Sequence, residues 1–265
     1  MDCKHLFIAS LNSGSNGNCY YVGNNEEAIL VDAGISCRET ERRMLRIGLS
    51  MQKVKAIFIS HEHTDHIKGL CTLSAKYNLP VYISVGTLAA CRFSIRQDLI
   101  RHLHNNETIQ IGSLSVTGFL KIHDASDPYS FVINHGETKV GVFTDIGEAC
   151  EQLVYHFRQC HAAFLEANYD DALLEKSAYP YFLKRRISGG RGHLSNKKAL
   201  ELFSTFKPAF MSHLLLSHLS KDNNCPNLVA ELFTQHANGT EIIVASRDEE
   251  TQVYTIFEPA AVHSF

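Results

Sequence analysis

His61-Glu62-His63-Thr64-Asp65-His66 closes the apolar run Lys55-Ala-Ile-Phe-Ile-Ser60. The pattern is H-x-H-x-D-H, which puts four metal-capable side chains within six residues at the end of an expected strand. Imidazole and carboxylate together suit divalent zinc, iron or manganese. In extended backbone, residues two apart share a face, so His61 and His63 are expected to grip one ion. A turn into a helix near Asp65 would aim Asp65 and His66 at a second point. Two ions position a bridging hydroxide and stabilise a leaving oxygen, which is hydrolase chemistry.

A pair of ions needs more donors than this motif supplies, so lone His or Asp residues should close other apolar runs. Gly118-Phe-Leu-Lys-Ile122 leads into His123, Lys139-Val-Gly-Val-Phe-Thr144 into Asp145, and Phe210-Met-Ser-His-Leu-Leu-Leu-Ser217 into His218. His123 is expected to complete the first ion beside His61 and His63, and His218 the second beside Asp65 and His66. Asp145 has two oxygens and can bridge both. His213 competes with His218, but the two are an odd number apart and would face opposite ways on one strand. Ligands cluster at strand ends and loops, which selects His218 and leaves His213 as a packed or hydrogen-bonded histidine.

The order of these residues resembles the metallo-β-lactamase fold superfamily over essentially the whole chain. A closer resemblance, to the YycJ/WalJ-like branch, is carried by Ser13-Gly-Ser-Asn-Gly-Asn18, Leu30-Val-Asp-Ala-Gly34 and His66-Ile-Lys-Gly-Leu70. It is also carried by Glu166-Ala-Asn-Tyr-Asp170, the stretch from Lys184 to Asn196 and Leu216-Ser-His-Leu-Ser220. The resemblance implies a four-layer αββα sandwich with metals at one edge. It also implies a cytoplasmic bacterial nuclease with 5′-to-3′ exonuclease activity on DNA. His193 matches a position that, in phosphodiester-cleaving relatives, contacts phosphate or protonates the leaving group.

The bulk properties fit. Of 265 residues, 45% are hydrophobic and 20% charged, enough for a sizeable core. A formal net charge of −3 excludes a globally basic nucleic-acid binder, so any attraction for phosphate must be local. None of the eight cysteines forms a C-x-x-C pair, and free thiols in a reducing compartment are expected. The run Leu6–Leu11 is too short for the core of an export signal, and no stretch approaches the ~18 apolar residues of a membrane span. The expectation is a soluble, cytoplasmic protein.

Hydrophobic periodicity predicts strands at the N-terminus around a Gly/Asn/Ser turn, at 28–32, at 81–84, several between 108 and 144, and at 162–165, 241–245 and 252–257. Helices are predicted over 36–49, 67–77, 88–101, 147–157, 172–186, 196–206 and 226–236. Mixed strands and helices without a linker predict one α/β domain over 1–265. The pattern also admits two β-rich halves divided near residue 145.

Several groups are candidates to hold substrate. Gly189-Gly-Arg-Gly-His193 delivers Arg191 and His193 just before a helix. Its N-terminus at Ser195 and Asn196 offers backbone N–H groups to phosphate, with Lys197 and Lys198 in the first turn. Lys184-Arg185-Arg186 can extend a basic track. The Asn12–Asn18 loop, and Asn18 in particular, can offer donors. Asn168 and Asp170 are candidates to orient ligand imidazoles, and Asp32 to support the site or its turn. The expected reaction is hydrolysis of DNA phosphodiesters, with two divalent ions, zinc or manganese, and Asp65 and His193 as catalytic groups. The rivals are a hydrolase of a small ester, thioester or cyclic phosphodiester, a β-lactamase, and a non-enzymatic regulatory protein that keeps the fold. An intact ligand set speaks against the last.

Overall fold

The computed structural model describes residues 4–258; Cys3, counted among the thiols, lies outside them. In chain order the first part carries β1 (Leu6–Asn12), β2 (Cys19–Gly23), β3 (Ala28–Val31), α1 (Cys37–Arg46) and β4 (Val54–Phe58). It continues with α2 (Thr64–Ile67), α3 (Leu70–Tyr77), β5 (Val81–Ile83), α4 (Val85–Ala90) and β6 (Ile100–His102). There follow β7 (Glu107–Ile111), β8 (Leu114–Leu120), β9 (Tyr129–His135), β10 (Thr138–Phe143), α5 (Glu151–Phe157) and β11 (Ala162–Glu166). The remainder is α6 (Asp171–Lys176), α7 (Tyr181–Ser188), α8 (Asn196–Phe206), β12 (His213–Ser217), α9 (Pro226–Thr234), β13 (Glu241–Val244) and β14 (Tyr254–Ile256).

The strands form two seven-stranded sheets, β14-β1-β2-β3-β4-β5-β6 and β13-β12-β11-β10-β9-β8-β7. The period of two along each strand sorts side chains into layers. Ile8, Tyr20, Val31 and Phe58 from one sheet meet Val116, Phe131, Val142 and Phe164 from the other in a shared core. The alternate residues Ala9, Tyr21, Leu30 and Ile57 face Met44 of α1 and Leu70 and Leu73 of α3. On the other outer face Phe143, Ala163 and Leu216 meet Phe157, Phe203 and Phe233 of α5, α8 and α9. Three apolar interfaces make four layers, the αββα sandwich.

Both sheets follow one plan. In the first, β14, β1, β2 and β3 pair antiparallel and β3, β4, β5 and β6 parallel. In the second, β7 to β10 pair antiparallel and β10 to β13 parallel. The two-half organisation is therefore present in the topology, but the divide falls between His102 and Glu107, not near residue 145. The last strand, β14, returns to the first sheet beside β1.

Four helical expectations are corrected. The helix over 88–101 is confined to α4, because Ile100–His102 pair in register with Val81–Ile83; tertiary pairing overrides local propensity. The helix over 172–186 is two helices. Asp170 caps α6 by accepting from Ala172 and Leu173 N–H at 3.0 Å, and Pro180, which has no N–H to continue a ladder, starts α7. The helix over 67–77 begins earlier, at Thr64, and breaks at Gly69, whose N–H donates to Ala33 O at 2.8 Å. A Cβ there would lie 1.9 Å from Ile35 O, so only glycine fits. The helix over 147–157 starts at Glu151, since Gly147 N–H is drawn to Ile122 O at 2.7 Å.

Among the described residues no helix is long and apolar enough to cross a membrane, and Cys19, Cys37, Cys71, Cys91, Cys150, Cys160 and Cys225 are free thiols.

Candidate metal centre

Parallel strands present their carboxyl ends at one edge, where α/β sheets bind ligands. Here both sheets do so together. Asp32 follows β3, His61 follows β4, Asp145 follows β10, Glu166 ends β11 and His218 follows β12. Asp32, Asp145 and His218 all adopt left-handed backbone, with φ of 63°, 54° and 57°. Such strain in non-glycine residues persists where the surroundings over-determine it, and it concentrates at functional sites.

Seven of the expected ligands converge. His61 Nε2 lies 3.0 Å from His63 Nδ1, which lies 3.4 Å from His123 Nε2. Asp65 Oδ2 lies 3.5 Å from His66 Nε2 and 3.4 Å from His218 Nε2. Asp145 stands between the two groups, with Oδ2 3.2 Å from His66 Nε2 and Oδ1 3.8 Å from His123 Nε2 and 3.6 Å from His218 Nε2. Donors sharing one tetrahedral ion at ~2.1 Å sit ~3.4 Å apart, which is the spacing within each triad. Asp145 Oδ2 is buried with only the His66 Nε2 nitrogen beside it, a placement that suits a cation. The donor set and the spacing fit divalent metal.

The opposite ring nitrogens are held as ligand imidazoles require. His66 Nδ1 donates to Asp32 Oδ2 at 2.7 Å. Ser60 Oγ donates to the same oxygen at 2.8 Å and lies 2.9 Å from His61 Nδ1, so His61 Nδ1 is the donor there and its Nε2 lone pair faces the site. His123 Nδ1 donates to Gly192 O at 2.8 Å. His218 Nδ1 lies 3.1 Å from Glu166 Oε1. Asp32 is thus bonded to the His66 ring and to Ser60.

Electrostatics separate the triads. Burial lowers the pKa of His61 and His63, and burial, only partly opposed by Asp145, takes His123 down to about 4. Burial also disfavours charge on His218, but Asp145, Asp65 and Glu166 outweigh it and raise the pKa to about 10. His66 is likewise raised against the cost of burial, by Asp145, Asp32 and Asp65. Lys121, buried with its Nζ 2.7 Å from Thr144 O, stands beside these acids, and burial lowers its pKa against their pull.

Within the Glu166–Asp170 segment, the sequence reading singled out Asn168 and Asp170, whereas the structure brings Glu166 to the site. Its Oε1 lies 2.8 Å from His193 Nδ1, and its Oε2 accepts from Ile146 N–H at 2.6 Å and Leu194 N–H at 3.1 Å. Burial opposes its ionisation, but His193 and His218 hold the pKa at about 2. The clue was present: Glu166 closes the apolar run 162–165, as His123 and Asp145 close theirs. Of its neighbours, Asn168 donates to His218 O at 2.7 Å, whereas Asp170 is a helix cap and does not reach a ligand imidazole.

His193, half-buried, borders a cavity of 210 Å³ also lined by Ser15, Asn168, Tyr179, Arg186 and Ser220. The Asn12–Asn18 loop lies beside the centre, with Ser13 Oγ accepting from His218 N–H at 2.7 Å. Asn18 is buried with its Nδ2 3.1 Å from His66 Nε2 and 3.3 Å from Asp65 Oδ2. Arg191 is exposed. Ser195 and Asn196 are buried and otherwise engaged. Ser195 Oγ caps α8 by accepting from Lys198 N–H, and the Asn196 amide pairs with Asn224 at 2.9 Å. His213, at the opposite end of β12, pairs with Ser212 and Glu241.

The sequence profile of the Beta-lactamase superfamily domain matches residues 27–218. The chain is 35% identical over 228 residues to the exodeoxyribonuclease YycJ of Bacillus anthracis, covering 84% of this chain and 86% of that protein. It is 30% identical over 223 residues to the exodeoxyribonuclease WalJ of Streptococcus pneumoniae, covering 82% and 83%. Among solved structures, the metallo-β-lactamase fold protein YhfI of Bacillus subtilis superposes with a TM-score of 0.72 at 16% identity, over 95% of this chain and 99% of that one, a likeness of fold.

Proposed function

The chain belongs to the β-lactamase superfamily and, within it, to the family of the exodeoxyribonucleases YycJ and WalJ, and on that premise we propose that this metal-dependent hydrolase cleaves DNA phosphodiesters, shortening strands from the 5′ end. The observation that carries the reading is the pair of donor triads joined by Asp145 in a chain so close to named exodeoxyribonucleases.

In this reading His61, His63 and His123 would hold one divalent ion and Asp65, His66 and His218 a second, with Asp145 between the two groups. Zinc and manganese both suit the donors. When bound, such ions would supply Lewis-acid charge and lower the pKa of water at the site toward neutral pH. Asp65, fixed by Asn18, orients the attacking oxygen. His193, with Nδ1 held by Glu166, gives a proton to the departing oxygen. Arg191 and the Ser13–Asn18 loop border the path of the phosphate backbone. The shared core argues for one domain over the whole chain, and the free thiols fit a reducing cytoplasm.

The test is incubation of the pure protein with end-labelled single- and double-stranded DNA under Zn²⁺ or Mn²⁺. Stepwise loss of nucleotides from the 5′ end supports the reading. Internal cuts would make the enzyme an endonuclease, and no cleavage of any DNA sinks the proposal. Asp65→Ala is expected to abolish turnover in a protein that remains folded by circular dichroism.

A further inference from the structure

Helix α7 (Tyr181–Ser188) contributes almost nothing to the core. None of its residues is buried, and Tyr181 and Phe182, adjacent in sequence, are 75% and 73% exposed. A surface helix ordinarily buries one apolar stripe, so two large rings facing water on such a helix are left without a packing role. The same eight residues carry Lys184, Arg185 and Arg186 and no acid, in a chain whose net charge is −3. The Arg185 guanidinium lies 6.0 Å from the Tyr181 ring centre.

The position of this helix gives the patch its meaning. Leu183, Arg186 and Ile187 line the same 210 Å³ cavity as His193. Ile187 O accepts from His193 N–H at 2.8 Å, and Arg186 Nε lies 2.6 Å from Asp124 Oδ2, beside His123. The helix that carries the rings and cations is thus anchored beside the metal centre through Leu183, Arg186 and Ile187, with Tyr181 and Phe182 projecting to solvent.

We propose that α7 is the platform on which the single-stranded segment of the DNA substrate lies, bases against Tyr181 and Phe182 and phosphates against Lys184 and Arg185. The inference rests on the reading of the centre as a DNA phosphodiesterase. Rings beside cations are the combination that holds single-stranded nucleic acid without regard to sequence, because every base has a π-face. Charge complementarity favours this occupant over an apolar protein surface: with Arg186 paired to Asp124, Lys184 and Arg185 beside two rings suit a polyanion of stacked bases.

The test compares the full-length protein with the double variant Tyr181→Ala/Phe182→Ala under Mn²⁺, on a dinucleotide and on a strand of about fifteen nucleotides. The variant is expected to raise KM for the long strand about tenfold or more, while KM for the dinucleotide moves by less than about twofold. Phe182→Trp, which keeps a ring, is expected to stay near wild type on both. Wild-type KM on the long strand overturns the proposal, and if the same variant changes sedimentation, the patch belongs to a second copy of the chain. Equal losses on both lengths also overturn it, since α7 would then act only by positioning His193. Absence of cleavage by the unmodified protein refutes the underlying phosphodiesterase reading instead.

Discussion

Glu166 Oε1 lies 2.8 Å from His193 Nδ1 and 3.1 Å from His218 Nδ1. One buried carboxylate thus sets the ring of the proposed proton donor and of a proposed metal ligand together. Glu166→Gln keeps the shape and loses the charge. Loss of such a supporting carboxylate costs about 10–100-fold in metal affinity or activity. We expect a fall of that size in kcat on DNA, with Glu166→Asp intermediate. A Glu166→Gln enzyme with wild-type kcat and wild-type metal affinity rules the role out.

Asp32 serves the opposite sheet in the same way. It accepts from His66 Nδ1 at 2.7 Å, from Ser60 Oγ at 2.8 Å and from Ser60 N–H at 2.8 Å, all in full burial. Asp32→Ala leaves these donors without an acceptor and frees the His66 ring to turn. The expected result is a loss of about 10–100-fold in affinity for the ion held by His66, read by competition with a chromogenic chelator. The triad of His61, His63 and His123 should lose less. Equal weakening of both ions would mean that Asp32 acts on the fold as a whole.

The metal-free protein should show a distinctive pH dependence. His218 in the folded chain titrates at about 10, above the ordinary histidine value of ~6.5. A raised pKa stabilises the fold fully below the unfolded value, and that contribution is lost as pH climbs through the folded one. The metal-free Tm is therefore expected to fall from about pH 7 toward pH 10. If His218 is a ligand, as proposed, bound metal takes the place of its proton, so the loaded protein should lack this decline and metal uptake should release protons. A metal-free Tm that rises across this window contradicts the sign.

The seven convergent side chains were legible in the sequence because each rests on the same local logic. A polar residue ends an apolar run, and runs in parallel strands end at one edge. His218 over His213 followed from position alone, and the two indeed lie at opposite ends of β12. Glu166 obeys the same logic but was passed over for Asn168 and Asp170, because a carboxylate that holds imidazoles has no spacing of its own. The helices misread at 88–101 and 172–186 failed for different reasons. Ile100–His102 become a strand only because β5 lies beside them, which no local window contains. Pro180, by contrast, was visible and should have divided the second helix. Ser195 and Asn196 look like free donors at a helix start, yet the cap and the Asn224 amide use them.

Gly34 ties the sequence to the centre most tightly. A Cβ on it would lie 1.7 Å from Asp65 O and 2.5 Å from Asn18 N. Those two atoms form the 2.7 Å hydrogen bond that fastens the Asn12–Asn18 loop to Asp65, and Gly34 N–H donates to Asn18 O at 2.8 Å. The contact is backbone to backbone and cannot be relieved by a rotamer change. Gly34→Ala must move either the loop or Asp65. Overpacking of this kind costs ~1–3 kcal/mol, a Tm loss of ~2–10 °C for a chain of this size. Because Asn18 and Asp65 are bonded to each other, either shift disturbs Asp65, so turnover should fall further than stability implies, and metal affinity at the proposed Asp65, His66 and His218 site should fall with it. Gly48, with nothing within 4 Å of an added Cβ and φ +74, provides the contrast. Gly48→Ala should lower Tm through backbone strain alone and leave metal affinity untouched. If Gly34→Ala melts lower yet binds both ions and cuts DNA as the wild type does, the Asn18–Gly34–Asp65 contact is structural only.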